Sequence, residues 1–174
     1  MENKSSMKFD HENLGEISFG PTHKLVCSLV KYRTSDCKLR RYCDLRVNSY
    51  NATKNRYMFS KKGITIPKNK ILDVISALNA LPLDPPEGIP IEENKVIATI
   101  DKYKDLKICV SLTQYDGGPK VDIREYIVDN IKTYAGPTYK GVRFGYEMIA
   151  QVSEMLQLCA NKLLDTKEDI DIVS

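Results

Sequence analysis

A chain of 174 residues has room for one domain or two small ones, and a net charge of +3 says little by itself about partners. No apolar run approaches the roughly 18 residues of a membrane span, and the polar start MENKSSMKFDHENLGE has no secretory h-region, so neither membrane insertion nor secretion is expected. Two histidines, His11 and His23, give poor material for a histidine metal site. Five cysteines (Cys27, Cys37, Cys43, Cys109, Cys159) without CxxC spacing read as reduced thiols of an intracellular protein. No metal or cofactor is expected.

In chain order, residues 1–22 read as a flexible arm with a short strand at Ile17–Phe19. KLVCSLVKY (24–32) is a β-rich stretch, and KLRRYCDLRVNSY (38–50) a second strand with arginines and tyrosines interleaved. NATKN is a turn, and RYMFSKKGITI (56–66) holds two further strand segments. Pro67 stands where a helix can begin, and Asn69–Leu81 is amphipathic. Four prolines in PLDPPEGIP (82–90) make a stiff, extended linker, taken as 82–94. Leu106, Ile108, Val110 and Leu112 then alternate with polar or small residues, Tyr115-Asp116-Gly117-Gly118 makes a tight turn, and KVDIREYI follows as a strand. After Gly136-Pro137, YKGVRF leads into a helix ending near Leu164, and an acidic tail (165–174) closes the chain.

Charge is concentrated. From Lys24 to Lys62 there are eleven Lys/Arg against Asp36 and Asp44, so the remaining chain is net acidic. A basic block within patterned β-structure is an electrostatic footprint for polyanions. The pattern also repeats. Asp44-Leu45-Arg46 and Lys62-Gly63-Ile64 recur 78 residues later as Asp122-Ile123-Arg124 and Lys140-Gly141-Val142. The helix face Ile71, Val74, Leu78 recurs at the same offset as Ile149, Val152, Leu156. One ungapped register for strand motif and helix face implies an internal duplication, with repeats at 23–81 and 95–164.

KICVSLTQYDGGPKVDIREYIV, followed by PTYKGVRF and a helix, resembles the single-stranded-DNA-binding domain of the transcriptional coactivator positive cofactor four family. The resemblance covers about 106–157 well and about 24–79 more loosely. It implies an α+β fold in which each repeat is a curved four-stranded antiparallel sheet with a C-terminal helix, the two packed as an intramolecular pseudo-dimer. The helix–helix contact would be Ile71, Val74 and Leu78 against Ile149, Val152 and Leu156, with each helix covering its own sheet as the simpler alternative.

The family's binding positions fall on Tyr115 at the hairpin tip, on Arg46 and Arg124, on Lys61 and Lys62, and on Tyr139 and Lys140. Cys37 stands at the hairpin-tip position of the first repeat, and Ser49 and Ile127 where the family has another aromatic. Lys38, Arg40, Arg41, Lys120, Tyr126 and Arg143 complete the candidate nucleic-acid-binding set. Asp44 and Asp122 read as structural partners of their arginines, and no nucleophile with a base is visible, so no enzymatic activity is expected. The resemblance implies a binder of single-stranded DNA, with duplex DNA or RNA bound more weakly, acting in transcription at the nucleus or a cytoplasmic viral replication site. Proteins of the transcription machinery are further expected partners, and the chain is expected as a monomeric pseudo-dimer or a homodimer. A protein-interaction scaffold and an RNA-binding protein are the competing readings.

Overall fold

The computed structural model describes residues 7–128 and 135–165. They form two four-stranded antiparallel sheets, each in sequential strand order. The first holds β1 (Phe9–Phe19), β2 (His23–Arg33), β3 (Leu39–Asn51) and β4 (Arg56–Pro67), followed by α1 (Ile71–Asn79). The second holds β5 (Lys95–Tyr103), β6 (Leu106–Tyr115), β7 (Gly118–Ile127) and β8 (Gly136–Gly145). A 3-10 turn (Tyr146–Met148) then leads into α2 (Ile149–Leu164). Neither helix is long and apolar enough to cross a membrane. Apart from Asp165, the acidic tail lies outside the described residues.

The segment expected to be an arm contains β1, which pairs with β2 from Phe9 opposite Tyr32 to Phe19 opposite His23. It is an edge strand with a mostly exposed face, and its alternation is broken by a register shift between Asn13 and Gly15. Asn13 Oδ1 accepts the Gly15 N–H at 2.9 Å across this bulge. Pro67 proves to be the last residue of β4 rather than the start of a helix, and α1 begins four residues later. The two segments expected in 56–66 are one strand, β4, which shifts register against β3 between Arg46 and Asn48.

Alternation in the strands decides which face is inward. Leu25, Cys27 and Leu29 of β2, Cys43, Leu45 and Val47 of β3, and Ile64 and Ile66 of β4 share one buried face. Ile108, Val110 and Leu112 of β6, with Val121 and Ile123 of β7, do the same in the second sheet, and all belong to one continuous apolar core. Each helix covers the sheet of the other half. α2 packs on β1, β2 and β3, α1 packs on β5 and β6, and the helices pack on each other. Of the six residues expected at the helix contact, Ile71, Val74, Leu78, Val152 and Leu156 are fully buried and Ile149 is half-buried. Ser153 Oγ donates to Asn79 Oδ1 at 2.6 Å beside them. The exchange of helices carries further links between the halves: Arg41 Nη1 donates to the Lys162 carbonyl at 3.4 Å, and Tyr146 Oη donates to the Pro82 carbonyl at 2.7 Å.

The two hairpins differ in length. Asp116 and Gly117, with φ of 50° and 79°, make a two-residue turn between β6 and β7. The β2–β3 connection runs over residues 34–38, with Cys37 at φ 61°. The strand registers therefore align Tyr32, not Cys37, with Tyr115. Tyr32 faces Arg40 and Tyr115 faces Gly118, and those partners are 78 residues apart. The longer first loop had displaced the match.

Candidate nucleic-acid interface

The repeated Asp-x-Arg and Gly are parts of one device. On a strand, residues i and i+2 project from the same face, so an aspartate and an arginine so spaced lie side by side. Arg46 donates through Nε and Nη2 to the two carboxylate oxygens of Asp44, both at 2.9 Å, and through Nη1 to the Ser60 carbonyl at 2.9 Å. Arg124 repeats this on Asp122 (2.9 and 3.0 Å) and on the Thr138 carbonyl (3.0 Å). The Asp44 hydrogen bond raises the Arg46 pKa above its ordinary value. The glycine directly opposite leaves room for the guanidinium. A Cβ on Gly63 would lie 2.5 Å from Arg46 Cζ, and one on Gly141 would lie 2.9 Å from Arg124 Cζ.

This geometry gives the two arginines a structural part. Their side chains are only 24% and 19% exposed, three donors of each are engaged, and each charge is offset by its aspartate. They clamp β3 to β4 and β7 to β8 beneath the surface, whereas the uncompensated cations stand around them. Lys61, Lys62 and Lys120 have no ion pair among the described residues, and Lys140 Nζ is 4.0 Å from a Glu125 oxygen with its side chain 54% exposed.

β4 and β8 run beside each other across the boundary between halves. The cleft between them, of about 700 Å³, is lined by Arg46, Lys61, Lys62, Gly63 and Thr65 from one half and Tyr139 and Lys140 from the other. A second cleft, of about 560 Å³, shares Lys62 and Tyr139 with it and continues along Lys120, Arg124, Arg143 and Tyr115. Tyr139 is 69% exposed and Tyr115 is 49% exposed. Arg143 Cζ lies 4.9 Å from the centre of the Tyr115 ring, and its Nε donates to Asp122 Oδ2 at 3.1 Å. Asp122 thus holds two arginines, whereas Thr65 takes the place of Arg143 in the first half.

Nine of the expected residues therefore meet in one continuous groove: Arg46, Lys61, Lys62, Tyr115, Lys120, Arg124, Tyr139, Lys140 and Arg143. Four do not line it. Lys38 sits in the β2–β3 loop, paired with Asp36 at 2.9 Å. Arg40 is exposed beside that loop, opposite Tyr32. Arg41 alternates onto the helix side, where it meets the carbonyl end of α2. Tyr126 is half-buried opposite Pro137. Phe19 at the end of β1 and His23 at the start of β2, whose rings stack at 5.7 Å and 29°, line the second cleft and are not among the residues expected there. Tyr32 forms a separate aromatic cluster with Phe9 and Tyr42 at ring distances of 5.3 and 5.9 Å.

A base stacked on an aromatic ring contributes roughly 1–3 kcal/mol. Tyr139→Ala should accordingly weaken oligonucleotide binding about tenfold in an anisotropy titration. Because the ring is so exposed, the melting temperature should hardly move.

Among the described residues, Cys27, Cys43 and Cys159 bring three potential ligand atoms together, their sulfurs lying within 4.8 Å of one another. Cys27 and Cys43 have raised pKa values, first because each thiol hydrogen-bonds Cys159. Those same contacts, Cys27 first, lower the Cys159 pKa to about 5.

No protein-family model and no curated protein matches the chain. Among solved structures, the crystal structure of WHY1 from Arabidopsis thaliana aligns with 90% of this chain and 92% of its own, at 9% identity and a TM-score of 0.41.

Proposed function

We propose that this chain binds single-stranded DNA, without catalysing a reaction, in the groove between β4 and β8. The observation that carries the reading is the meeting of exposed Tyr139 and Tyr115 with Lys61, Lys62 and Lys120, which have no ion pair among the described residues, and with half-exposed Lys140 in one groove built from both halves. A sequence-tolerant binder of an unpaired strand needs cations that follow the phosphates and flat side chains for the bases. The aspartate-clamped arginines supply neither in the main; they hold the strands in place beneath the groove. The exchanged helices support an intramolecular pseudo-dimer, so that one chain supplies both sides of the groove. The resemblance to the positive cofactor four family supports a role in transcription inside the cell, at melted DNA.

Anisotropy titrations with labelled oligo-dT, the matching duplex and an RNA of equal length, each across a salt series, test this. Oligo-dT should bind more tightly than the duplex, with an affinity that falls steeply with salt. RNA bound as tightly as DNA would make the ligand unpaired nucleic acid in general, and equal or tighter duplex binding would overturn the reading. In the triple variant Lys61→Ala/Lys62→Ala/Lys140→Ala the logarithmic salt slope should fall by about 2, because each lost single-strand phosphate contact removes about 0.7. An unchanged slope would remove these lysines from the interface.

A further inference from the structure

Cys27 from β2, Cys43 from β3 and Cys159 from α2 are each fully buried, and the groove uses none of them. Their sulfurs converge from three elements, with Cys27 Sγ 3.7 Å from Cys43 Sγ. Thiolates at metal–sulfur distances of about 2.3 Å in tetrahedral array stand about 3.8 Å apart, which that spacing already approaches. The duplication supplies an independent comparison. By strand register and by the 78-residue offset, the equivalent positions are Val110 and Val121 in the sheet of the second half and Leu81 just after α1 of the first. Val110 and Val121 are fully buried and Leu81 packs on the same core. The fold is therefore satisfied at those positions by apolar side chains, yet where α2 meets β2 and β3 all three carry sulfur.

We propose that Cys27, Cys43 and Cys159 bind one soft, thiophilic metal ion that staples α2 of the second half onto the sheet of the first. Thiolates select zinc and monovalent copper over hard cations. The site is closed to solvent, so the ion enters as the chain folds, displacing thiol protons, and its binding energy adds to folding. Because α2 belongs to one half and β2 and β3 to the other, the staple resists separation of the halves that form the groove.

The full-length chain, reduced and stripped of metal by unfolding in chelator, would be refolded with either zinc(II) or copper(I) under competition from a chromophoric chelator. The bound ion would be counted by elemental mass spectrometry, and its ligands read by X-ray absorption. One equivalent of one of these ions per chain, with three sulfurs in its coordination shell, is expected, and the two arms identify which ion it is. Cys27→Val and Cys43→Val, which install the residue type the second half already carries, should each lose that equivalent, whereas Cys37→Ser and Cys109→Ala should keep it. Substoichiometric uptake of both ions, a shell without three sulfurs, or uptake unchanged in Cys27→Val and Cys43→Val would overturn the site. A disulfide among the three cysteines in the freshly purified chain would overturn it too.

Discussion

Replacing Lys102 by methionine should lower the free energy of unfolding by about 3 kcal/mol, the lower end of what breaking a buried ion pair costs. Lys102 Nζ lies 2.9 Å from Glu125 Oε2 and donates to Thr65 Oγ1 at 3.0 Å. The Lys102 and Glu125 side chains are 4% and 5% exposed, so loss of the ammonium strands a carboxylate away from water. Lys140, 4.0 Å from the other Glu125 oxygen, compensates in part. The double variant Lys102→Met/Glu125→Leu should recover most of the loss, since removing both charges removes the desolvation cost with them. Denaturant unfolding of the two variants against the parent checks this. A single variant within 0.5 kcal/mol of the parent would mean the pair is not buried as described. The same lysine reaches Thr65 across the boundary between halves, so the destabilisation reports on their packing as well as on one ion pair.

Asp122→Ala should cost about 2–3 kcal/mol, and Asp44→Ala less. The two aspartates occupy equivalent positions, but Asp122, fully buried, receives both Arg124 and Arg143, whereas among the described residues Asp44 pairs with Arg46 alone. The arginine side chains are 19% and 32% exposed in the Asp122 cluster, so water screens part of the stranded charge and the estimate stays below that for a fully buried pair. Removing Asp122 also frees Arg143, whose guanidinium lies by Tyr115. Unfolding and oligo-dT binding should therefore change together in Asp122→Ala. If Asp44→Ala proved the more damaging, the doubly occupied carboxylate would not be the stronger clamp.

The elements with clear periodicity were legible in the sequence. β6 announced itself by Leu106, Ile108, Val110 and Leu112 at alternate positions, and α2 ends at Leu164, where its apolar recurrence ends. The duplication was legible because Asp, Arg and Gly make one clamp whose spacing cannot drift without losing its hydrogen bonds. The pairing of Asp44 and Asp122 with their arginines was legible as well. Not legible was that a third donor of each arginine binds a carbonyl of β4 or β8 and leaves the guanidinium mostly covered. β1 was legible only at its end, the strand at Ile17–Phe19, because an exposed edge strand with a bulge shows no two-residue period, and Phe19 and His23 were not among the expected site residues. The exchange of helices was hidden for a different reason. An apolar stripe such as Ile71, Val74 and Leu78 states that a surface will be covered, not which sheet covers it. The three-thiol cluster has no local spacing at all, because its members come from β2, β3 and α2.

Photocrosslinking places a bound strand most directly. Oligo-dT carrying 5-iododeoxyuridine, irradiated with the full-length chain and mapped by peptide mass spectrometry, should leave adducts on Tyr139 and Tyr115, suppressed by excess unlabelled oligo-dT and by high salt. Adducts confined to the Phe9, Tyr32 and Tyr42 cluster, or no competable adduct at all, would contradict binding in the groove between β4 and β8.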